Sequence, residues 1–266
     1  MKKLICPLCS LALSENFQGL ACTNQHQFDR AKEGYFNLLP VQHKNSREPG
    51  DPKQQLIARR AFLMAGYFYP LIDQLKKIID ANITTLLDIG CGEGYFTRAL
   101  GQHCVSADVY GIDISKEGIR LAAKNNSAKI TYAVASSHLL PIADMSMDVI
   151  TRIYAPSKDE ELFRVIKPAG KLIIVTPGEQ HLLGVRKKIY QTTKHHPKPS
   201  TPEGFNELTQ LGINFPLSLP AGDLTKSLLE MTPFAWKLSA DLTNELVGQG
   251  VSDIAEFQIS VYERIS

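Results

Sequence analysis

The feature that most constrains the fold is a short apolar segment, residues 84–89, that runs directly into a glycine-rich turn. The segment carries Asp88 near its end, and the turn has glycines at Gly90, Gly92 and Gly94. Closely spaced glycines after a buried strand let the main chain turn tightly and let a large ligand approach it. Ligands of open α/β sheets bind outside the carboxyl ends of the strands. The turn therefore predicts an α/β fold with a ligand site at this edge.

The rest of the sequence also predicts strands that alternate with helices, as an α/β fold requires. Ahead of the glycine turn, helices are expected from Asp51-Pro52 to about Ala65 and over 67–80. From there the predicted order is strand 84–89, helix 95–100, strand 109–112, helix 116–124, strands 130–134 and 148–153, helix 159–165, strand 171–176, helix 180–190, polar loop 195–203, segment 223–231, helix 240–248 and strand 255–264. Strands separated by helices indicate βαβ units and a parallel sheet covered on both faces.

The residues around the turn select the ligand. A dinucleotide site reads Gly-x-Gly-x-x-Gly, whereas this turn reads Gly-x-Gly-x-Gly. Asp88 and Glu93 repel phosphate but suit a cofactor that carries ammonium and sulfonium charges. Asp113 closes the next strand, where a carboxylate accepts the hydroxyls of a ribose. Together they predict S-adenosylmethionine, with NAD(P) as the alternative on the same fold; Cys91 is interpreted as a buried core thiol.

A second pattern lies near the start of the sequence, where Cys6, Cys9, Cys22 and His26 follow Cys-x2-Cys-x12-Cys-x3-His. Two soft donors from each of two tight turns fit a tetrahedral Zn²⁺. Because the protein fills all four positions, no place is left for an activated water, and the ion is predicted to be structural. A lobe this small usually needs a metal to fold.

Composition sets the broad class. The 266 residues are 44% hydrophobic and 21% charged, which indicates a globular protein of one domain plus a small appendage. Three of the five cysteines belong to the zinc pattern, and Cys91 and Cys104 are isolated. They do not form a disulfide framework, so a cytoplasmic location is expected. No membrane span or signal peptide is expected either. Residues 1–60 carry nine Lys or Arg side chains against five Asp or Glu, which suggests an anionic partner or ordinary surface charge.

These residues carry a family resemblance. The glycine turn with Asp113 resembles the Rossmann-like class I methyltransferases. The whole chain resembles the bacterial large-subunit (23S) rRNA guanine-N1 methyltransferases, the RlmA or RrmA family. Beyond the zinc pattern, the segments that carry the resemblance are His26–Asp29, Ala31–Tyr35, Asn37–Gln42, Ala58–Leu63, Arg152–Pro156 and Met231–Trp236.

The resemblance implies a zinc lobe that grips an rRNA hairpin, and methyl transfer to N1 of one guanine in its loop. It implies cofactor contacts for Gly92, Glu93 and His181, and it places Phe68 where the family has a tyrosine. Packing of Phe68 against the cofactor would survive that change, but a hydroxyl contact would not. A homodimer that cradles the hairpin fits the same family picture.

The catalytic group is not identified by the sequence. Guanine N1 carries a proton, so a base must remove it or donors must stabilise charge on O6. The candidates are Asp148, Asp144, His138 and His181; Asp148 is alternatively the polar start of a strand, and His138 an ordinary loop histidine. Tyr154 ends a strand, where it either stacks on a flipped guanine or caps the strand.

Other residues and readings stay open. Arg59 and Arg60 are read as an exposed pair that contacts phosphate or forms a solvated face, and Phe234 and Trp236 as core anchors rather than stacking platforms. The predicted division is a zinc-binding RNA-recognition lobe over 1–40, a linker with helices over 41–82, and a methyltransferase domain with a C-terminal extension over 83–266. A small-molecule methyltransferase and a non-catalytic zinc-ribbon binding module are the rival functions.

Overall fold

A computed structural model describes residues 3–43, 49–124, 130–190 and 200–265. Most of the predicted loop 195–203 lies outside the described residues. The strands are β1 (Ser14–Glu15), β2 (Gly19–Ala21), β3 (Gln27–Asp29), β4 (Phe36–Asn37), β5 (Thr85–Ile89), β6 (Asp108–Asp113), β7 (Ile130–Val134), β8 (Met147–Ile153), β9 (Ile166–Pro177), β10 (Phe205–Leu219) and β11 (Val251–Arg264).

The helices separate these strands as the sequence predicts. They are α1 (Lys53–Met64), α2 (Tyr69–Ile78), α3 (Tyr95–His103), α4 (Lys116–Ala123), α5 (Asp159–Val165), α6 (Leu183–Ile189), α7 (Asp223–Met231) and α8 (Ala240–Gln249), with 3-10 turns at Val41–His43 and Pro233–Lys237. Two of them begin at serine caps: the hydroxyl oxygens of Ser115 and Ser239 accept the N–H groups of Gly118 and Leu242, each at 3.2 Å.

The main sheet has eight strands in the order β10-β11-β9-β8-β5-β6-β7-β4. From β4 to β9 the pairs are parallel, whereas β11 runs antiparallel to both β9 and β10. The sheet is therefore mixed rather than fully parallel. Because the parallel strands share one direction, the carboxyl ends of β5, β6, β7, β8 and β9 meet along one edge.

Strand β10 is not among the strands that the sequence predicts. Apolar residues alternate with polar ones along its second half, from Leu211 to Leu219, which is the period of a half-buried strand. Gly212 and Pro216 interrupt that pattern, and both normally argue against a sheet interior. Since β10 pairs on one side with β11 and ends the sheet, it is an edge strand, where proline is tolerated.

The core has two layers, one on each face of the sheet. One face is covered by α2, α3, α4, α7 and α8. The other is covered by α5 and by the zinc lobe, whose Leu4 and Leu20 are 1% and 0% exposed among residues of β5, β6 and β8. Burying a leucine contributes about 2 kcal/mol. The lobe is therefore fixed to the sheet by a shared core, and β4, at residues 36–37, pairs directly with β7.

Candidate active site and metal centre

The four predicted metal ligands converge in the zinc lobe. Their donor atoms all lie within 4.8 Å of one another. Nδ1 of His26 lies 3.4 Å from Sγ of Cys6 and 3.5 Å from Sγ of Cys22, and the sulfurs of Cys9 and Cys22 are 3.6 Å apart. A tetrahedral Zn²⁺ needs S···S edges of about 3.8 Å and S···N edges of about 3.5 Å. The cluster matches a closed, structural zinc site.

Each pair of ligands is presented by a tight turn. The first turn is closed by the Ser10 N–H donating to the Cys6 carbonyl at 2.8 Å, the second by the Gln25 N–H donating to the Cys22 carbonyl at 2.9 Å. Ser10 and Gln25 both have left-handed φ values, of 58° and 63°. Such φ values are uncommon outside glycine and mark constrained turns. The two turns fold the ligand pairs toward each other.

The glycine turn leads from β5 into α3 at the carboxyl edge of the sheet. The N–H groups of Gly90 and Cys91 donate to the Ile112 carbonyl at 2.8 and 3.1 Å, which attaches the turn to β6. A Cβ on Gly90 would lie 2.2 Å from the Cβ of Ala155, so only glycine fits there. A Cβ on Gly92 would meet only the Arg59 guanidinium, at 3.7 Å. The main chain at Gly92 is therefore open to a ligand.

Asp113 holds the turn from the neighbouring strand. Its two carboxylate oxygens accept the N–H groups of Gly92 and Ser115 at 2.8 and 2.7 Å. Burial raises the pKa of Asp113, although these two donors oppose that change. Each carboxylate oxygen has a second lone pair beyond the one that takes an N–H. Asp113 can therefore organise the turn and still accept a ribose hydroxyl, the role predicted for it.

Asp88 is buried beneath the turn. Its carboxylate accepts the hydroxyls of Thr97, at 2.5 Å, and Thr151, at 2.8 Å. Burial raises the pKa of Asp88 to about 6, and the two hydroxyl donors oppose that rise. Both oxygens already serve α3 and β8. Asp88 therefore supports the site by tying three elements together under the turn.

Glu93 is also buried, with 1% of its surface exposed. One carboxylate oxygen lies 3.0 Å from the guanidinium of Arg98, and that guanidinium also donates to the Glu93 carbonyl at 2.7 Å. The other oxygen, Oε1, is buried without a hydrogen bond from any residue that the structure describes. A buried carboxylate oxygen without a donor is costly. It is an acceptor available to a bound group.

Aromatic side chains form a cluster at the same edge. The Tyr154 ring lies 6.0 Å from the Phe257 ring and 6.3 Å from the His181 ring, and Phe68 packs edge-on to Phe257 at 4.9 Å. Tyr154 has a left-handed φ of 58° and is 46% exposed. A bulky residue held in this backbone region is strained, and such strain clusters at functional sites. The structure thus brings three predicted residues, Phe68, Tyr154 and His181, together.

His181 and Phe68 sit differently in this cluster. His181 precedes α6 in a turn, and its Nδ1 lies 2.8 Å from the Glu256 carbonyl. Phe68 is 4% exposed and also packs against Phe62, at 5.0 Å, and near His181, at 6.2 Å. The ring of His181 is therefore half-buried among aromatics at the edge where a cofactor contact is predicted for it. Phe68 belongs to the packed support of that ring.

Two candidate bases lie at the wrong edge. Asp148 starts β8 and accepts the N–H groups of Thr84 and Thr85 at 2.8 and 2.9 Å, and the Lys167 ammonium at 2.6 Å. Burial acts to raise the pKa of Asp148, but these partners outweigh it and hold that pKa well below its ordinary value. Asp144 pairs with Arg164 at 2.7 Å ahead of the same strand. Asp148 and Asp144 are therefore corrected to structural residues at the amino edge.

The remaining predicted residues divide into three groups. His138 lies at the carboxyl edge after β7 and is exposed, its N–H donating to the Ser136 hydroxyl at 3.1 Å. Cys91 packs against the core, and burial raises the pKa of its thiol well above the ordinary value, so it stays protonated.

The prediction of Trp236 as a core anchor is wrong, because its side chain is 78% exposed, whereas Phe234 is buried as predicted.

Arg59 and Arg60 are not the exposed pair that the sequence suggests. Both are half-buried. Arg59 forms an ion pair of 2.6 Å with Asp51, beside Gly92, and Arg60 donates to the Leu121 carbonyl at 3.3 Å. Their place is fixed by α1 crossing the carboxyl edge, which no local pattern reveals.

Comparison with known proteins agrees with this geometry. Residues 4–47 match the family profile described as RlmA, N-terminal, a zinc ribbon, and residues 87–174 match the profile described as a methyltransferase domain. A Bacillus subtilis (strain 168) protein, YxjB, provisionally named a 23S rRNA (guanine-N(1)-)-methyltransferase, is 30% identical over 94% of this chain and 92% of its own length. The chain belongs to this rRNA methyltransferase family.

Further family members and the solved structures extend the likeness. The Streptomyces fradiae 23S rRNA (guanine(748)-N(1))-methyltransferase is 29% identical over 68% of this chain and 66% of its own length. A chain from the complex between the Haloferax volcanii Trm112 methyltransferase activator and a methyltransferase superposes with a TM-score of 0.51 at 16% identity, covering 84% of this chain and all of that one. That likeness concerns the fold alone.

The site of this family member fits S-adenosylmethionine. Gly92 leaves its main chain open, Asp113 keeps lone pairs that a ribose hydroxyl can use, and Glu93 has an oxygen without a donor among the described residues. When bound, the cofactor supplies an electrophilic methyl group on sulfur. The predictions of a methyltransferase sheet, of a zinc ribbon, and of S-adenosylmethionine and zinc as cofactors are confirmed. Within the described residues, no helix has both the length and the apolar character needed to cross a membrane.

Several site residues were missed from the sequence. Thr97 and Thr151 bind Asp88, and Ser115 donates to Asp113. Thr151 stands opposite Asp88 in the β5–β8 register, a signal available once that pairing is known. Arg152 donates to the Ser157 hydroxyl at 2.7 Å and so closes the loop that holds Tyr154.

Proposed function

We propose that this protein transfers a methyl group from S-adenosylmethionine to N1 of one guanine in a hairpin loop of 23S rRNA. The observation that carries the proposal is that one edge of the sheet holds both the Asp113-bound glycine turn and the half-exposed ring of Tyr154. Family membership supplies the substrate class, because the relatives named above are 23S rRNA (guanine-N1)-methyltransferases. The roles of the individual site residues belong to the same proposal.

The chain's own residues then divide the work. Gly90, Gly92, Glu93 and Asp113 hold the cofactor, and Asp88 fixes the turn from below. Because N1 lies on the pairing edge of guanine, the target base must be unpaired or flipped out to react. Tyr154 offers a ring on which such a base stacks. Holding donor and acceptor in line supplies much of the rate enhancement.

The N1 proton needs an acceptor, and two imidazoles stand at this edge. We assign the role to His181, beside Tyr154, rather than to the exposed His138. Nδ1 of His181 lies 2.8 Å from the Glu256 carbonyl and 3.2 Å from the Glu256 N–H. In the proposed tautomer, Nδ1 donates to the shorter of these contacts, the carbonyl, so that Nε2 is the nitrogen that accepts a proton. Family resemblance also gives His181 a cofactor contact.

The two roles of His181 are separable by kinetics. In His181→Asn, loss of a proton acceptor lowers kcat and removes the acid limb of its pH profile. Loss of a cofactor contact instead raises KM for S-adenosylmethionine with an unchanged profile. His138→Asn is the matched control and should leave both unchanged. An unchanged kcat profile in His181→Asn contradicts the assignment as base.

The central test is methylation of an RNA transcript containing the large-subunit hairpin. Methylated N1 blocks the pairing edge, so reverse transcription of the product should stop at one guanine. Tyr154→Ala should lower kcat about 100-fold because the base loses its stacking partner, and Tyr154→Phe should stay within about threefold. Transcripts without a new stop, or equal activities of the two variants, argue against the proposal.

The zinc lobe, residues 1–40, is proposed to recognise the hairpin. It carries an aromatic ring that is almost fully exposed, that of Phe17, at 95%, and an exposed cationic side chain, that of Lys32. Phe17→Ala with Lys32→Ala should raise KM for RNA and flatten its salt dependence while leaving KM for S-adenosylmethionine unchanged. Deleting residues 1–40 is a poorer test, because it removes β4 and the buried Leu4 and Phe36.

The remaining parts of the proposal concern organisation and assembly. We divide the chain into the lobe at 1–40, the linker with helices at 41–82 and the methyltransferase domain at 83–266, and place two copies around one hairpin. Sedimentation of the protein with and without the hairpin tests the assembly. A ratio of one chain per hairpin at all concentrations contradicts the homodimer.

A further inference from the structure

Among the described residues outside the zinc lobe, the most exposed large ring is the indole of Trp236, which is 78% exposed. It lies in the 3-10 turn Pro233–Lys237 that follows α7. A 3-10 helix has three residues per turn, so residues two positions apart point about 240° apart around the axis. Since Phe234 is buried in the core, Trp236 is necessarily turned outward. Exposing an indole forfeits the burial of a large apolar surface.

The turn that carries Trp236 is firmly seated. Phe234 anchors it in the core, and the Thr232 hydroxyl donates to the Leu229 carbonyl at 2.8 Å. Gln55 of α1 donates through its side-chain amide to the Met231 carbonyl at 3.1 Å. α1 also carries Arg59, which lies beside Gly92. The exposed indole therefore sits on a rigid support attached to a helix of the cofactor crevice.

Its chain neighbour Lys237 supplies a positive charge and connects the turn to α6. The Lys237 ammonium lies 4.9 Å from the centre of the Tyr190 ring. Tyr190 directly follows α6, and His181 precedes that helix. Seven helical residues span about 10 Å, so α6 separates His181 from Tyr190, the residue that Lys237 contacts, by about that length. A flat ring next to a cation is the pairing that binds a base together with its phosphate.

We propose that Trp236 is a stacking site for an unpaired nucleotide of the RNA substrate other than the target guanine, on the face of the sheet opposite the zinc lobe. The lobe packs on the layer that contains α5, and Phe234 belongs to the other layer. The RNA would then pass over the carboxyl edge between two exposed rings, Phe17 and Trp236. This inference rests on the proposed function.

Trp236 is the only tryptophan of the chain, so its fluorescence reports on this site alone. The free protein should show the red-shifted emission of a water-exposed indole. Addition of the hairpin transcript used in the methylation assay should quench that emission, with a midpoint equal to the Kd measured by filter binding. Trp236→Ala should weaken binding of the transcript about 10- to 100-fold, since base stacking contributes about 1–3 kcal/mol. Trp236→Phe should keep affinity within about threefold.

Two controls isolate the effect. Val105, 61% exposed, lies ahead of β6 at the amino edge, and Val105→Ala should bind the transcript as the wild type does. All variants should keep the wild-type Kd for S-adenosylmethionine, which shows that they are folded.

The outcomes distinguish this inference from the proposed function. A wild-type protein that neither binds nor methylates the transcript overturns the proposed function. Wild-type binding without quenching, or full affinity in Trp236→Ala, overturns the stacking site alone. Blue-shifted emission of the free protein, or emission that changes with protein concentration, also overturns it, because the ring is then covered by this chain or by a second copy.

Discussion

The zinc lobe and the glycine-turn edge show two ways to build a rigid site. In the lobe, four ligands within 21 residues of sequence, Cys6 to His26, converge on one point. At the sheet edge, the rigid parts are carboxylates that reach across the fold: Asp88 to Thr97 and Thr151, and Asp113 to Gly92 and Ser115. The first depends on a bound ion and the second on the chain's own donors. The two regions should therefore fail under different conditions.

The largest expected effect is removal of zinc. Chelation, or Cys22→Ser, should destabilise the protein by at least several kcal/mol, because structural zinc contributes about 10 kcal/mol or more in small zinc-binding peptides. The loss should spread to the sheet, since Leu4 and Leu20 share its core. Thermal unfolding with and without chelator measures it, with Cys104→Ser, outside the zinc cluster, as a further comparison. An unchanged Tm in chelator would show that the zinc lobe does not depend on a bound ion for its stability.

Asp88→Asn should act in the opposite direction at neutral pH. The carboxyl pKa is about 6 in the folded protein against 3.8 unfolded, so its contribution to stability is present below pH 3.8 and is lost as the pH rises through 6. Two pKa units correspond to about 3 kcal/mol. Removing the charge should therefore raise the free energy of unfolding above pH 6, while Thr97 and Thr151 still hydrogen-bond the amide.

Urea unfolding at pH 4.5 and 7.5 measures this effect as the difference between variant and wild type. The difference should grow with pH. Asp108→Asn, an exposed acid at the start of β6, is the control and should show no such trend. A variant that is less stable at pH 7.5 than at pH 4.5, relative to wild type, would show that Asp88 is charged and stabilising.

Asp113→Asn tests the hydrogen bonds by which the sheet edge holds the glycine turn. An amide replaces one acceptor oxygen by a donor, which then faces the N–H of Gly92 or Ser115. A lost hydrogen bond to a charged group costs about 2 kcal/mol, so the affinity for S-adenosylmethionine should fall about 30-fold. Isothermal titration of the zinc-loaded protein measures it. The zinc content should not change, because the lobe is held by other ligands.

The smallest effect belongs to Asp148→Asn, at the opposite edge. Losing the Lys167 ion pair and an acceptor for Thr84 should cost about 1–2 kcal/mol of stability. The depressed pKa means that this contribution is present above pH 3.8 and is lost as the pH falls further. Methyl transfer per folded enzyme should stay at the wild-type rate, measured as kcat at 25 °C. A large loss of kcat would restore Asp148 as the base.

The sequence was informative wherever the chemistry is local. The spacing of Cys6 to His26 predicts a metal cluster because short turns fix the ligands with few alternatives. The turn at Gly90, Gly92 and Gly94 predicts a ligand site at the carboxyl edge of the sheet, because β5, the turn and α3 follow one another directly in the sequence. Helix α5 begins and ends at its predicted residues, 159 and 165. These features depend on periods and turns that a few neighbouring residues determine.

The sequence failed where side chains meet across the fold. Asp148 lies at the start of β8 and Tyr154 directly follows its end. Only the direction of β8 in the sheet places Tyr154 at the carboxyl edge and Asp148 at the opposite one. Strand β10 was missed because Pro216 is admissible only on an edge, and edge position is a property of the whole sheet. Trp236 resembled a core anchor until the tight turn around Phe234 was known.

By itself, the sequence determined the methyltransferase fold class, the four zinc ligands and the acid-flanked turn, because these depend on residue types at short separations. Only the tertiary structure decided that Asp88 supports the turn from below, that Arg59 lies over Gly92 and that Tyr154 joins His181 at the reacting edge. The reason is that strand order and helix placement bring together residues tens of positions apart. Those contacts leave no mark on the local pattern of either segment.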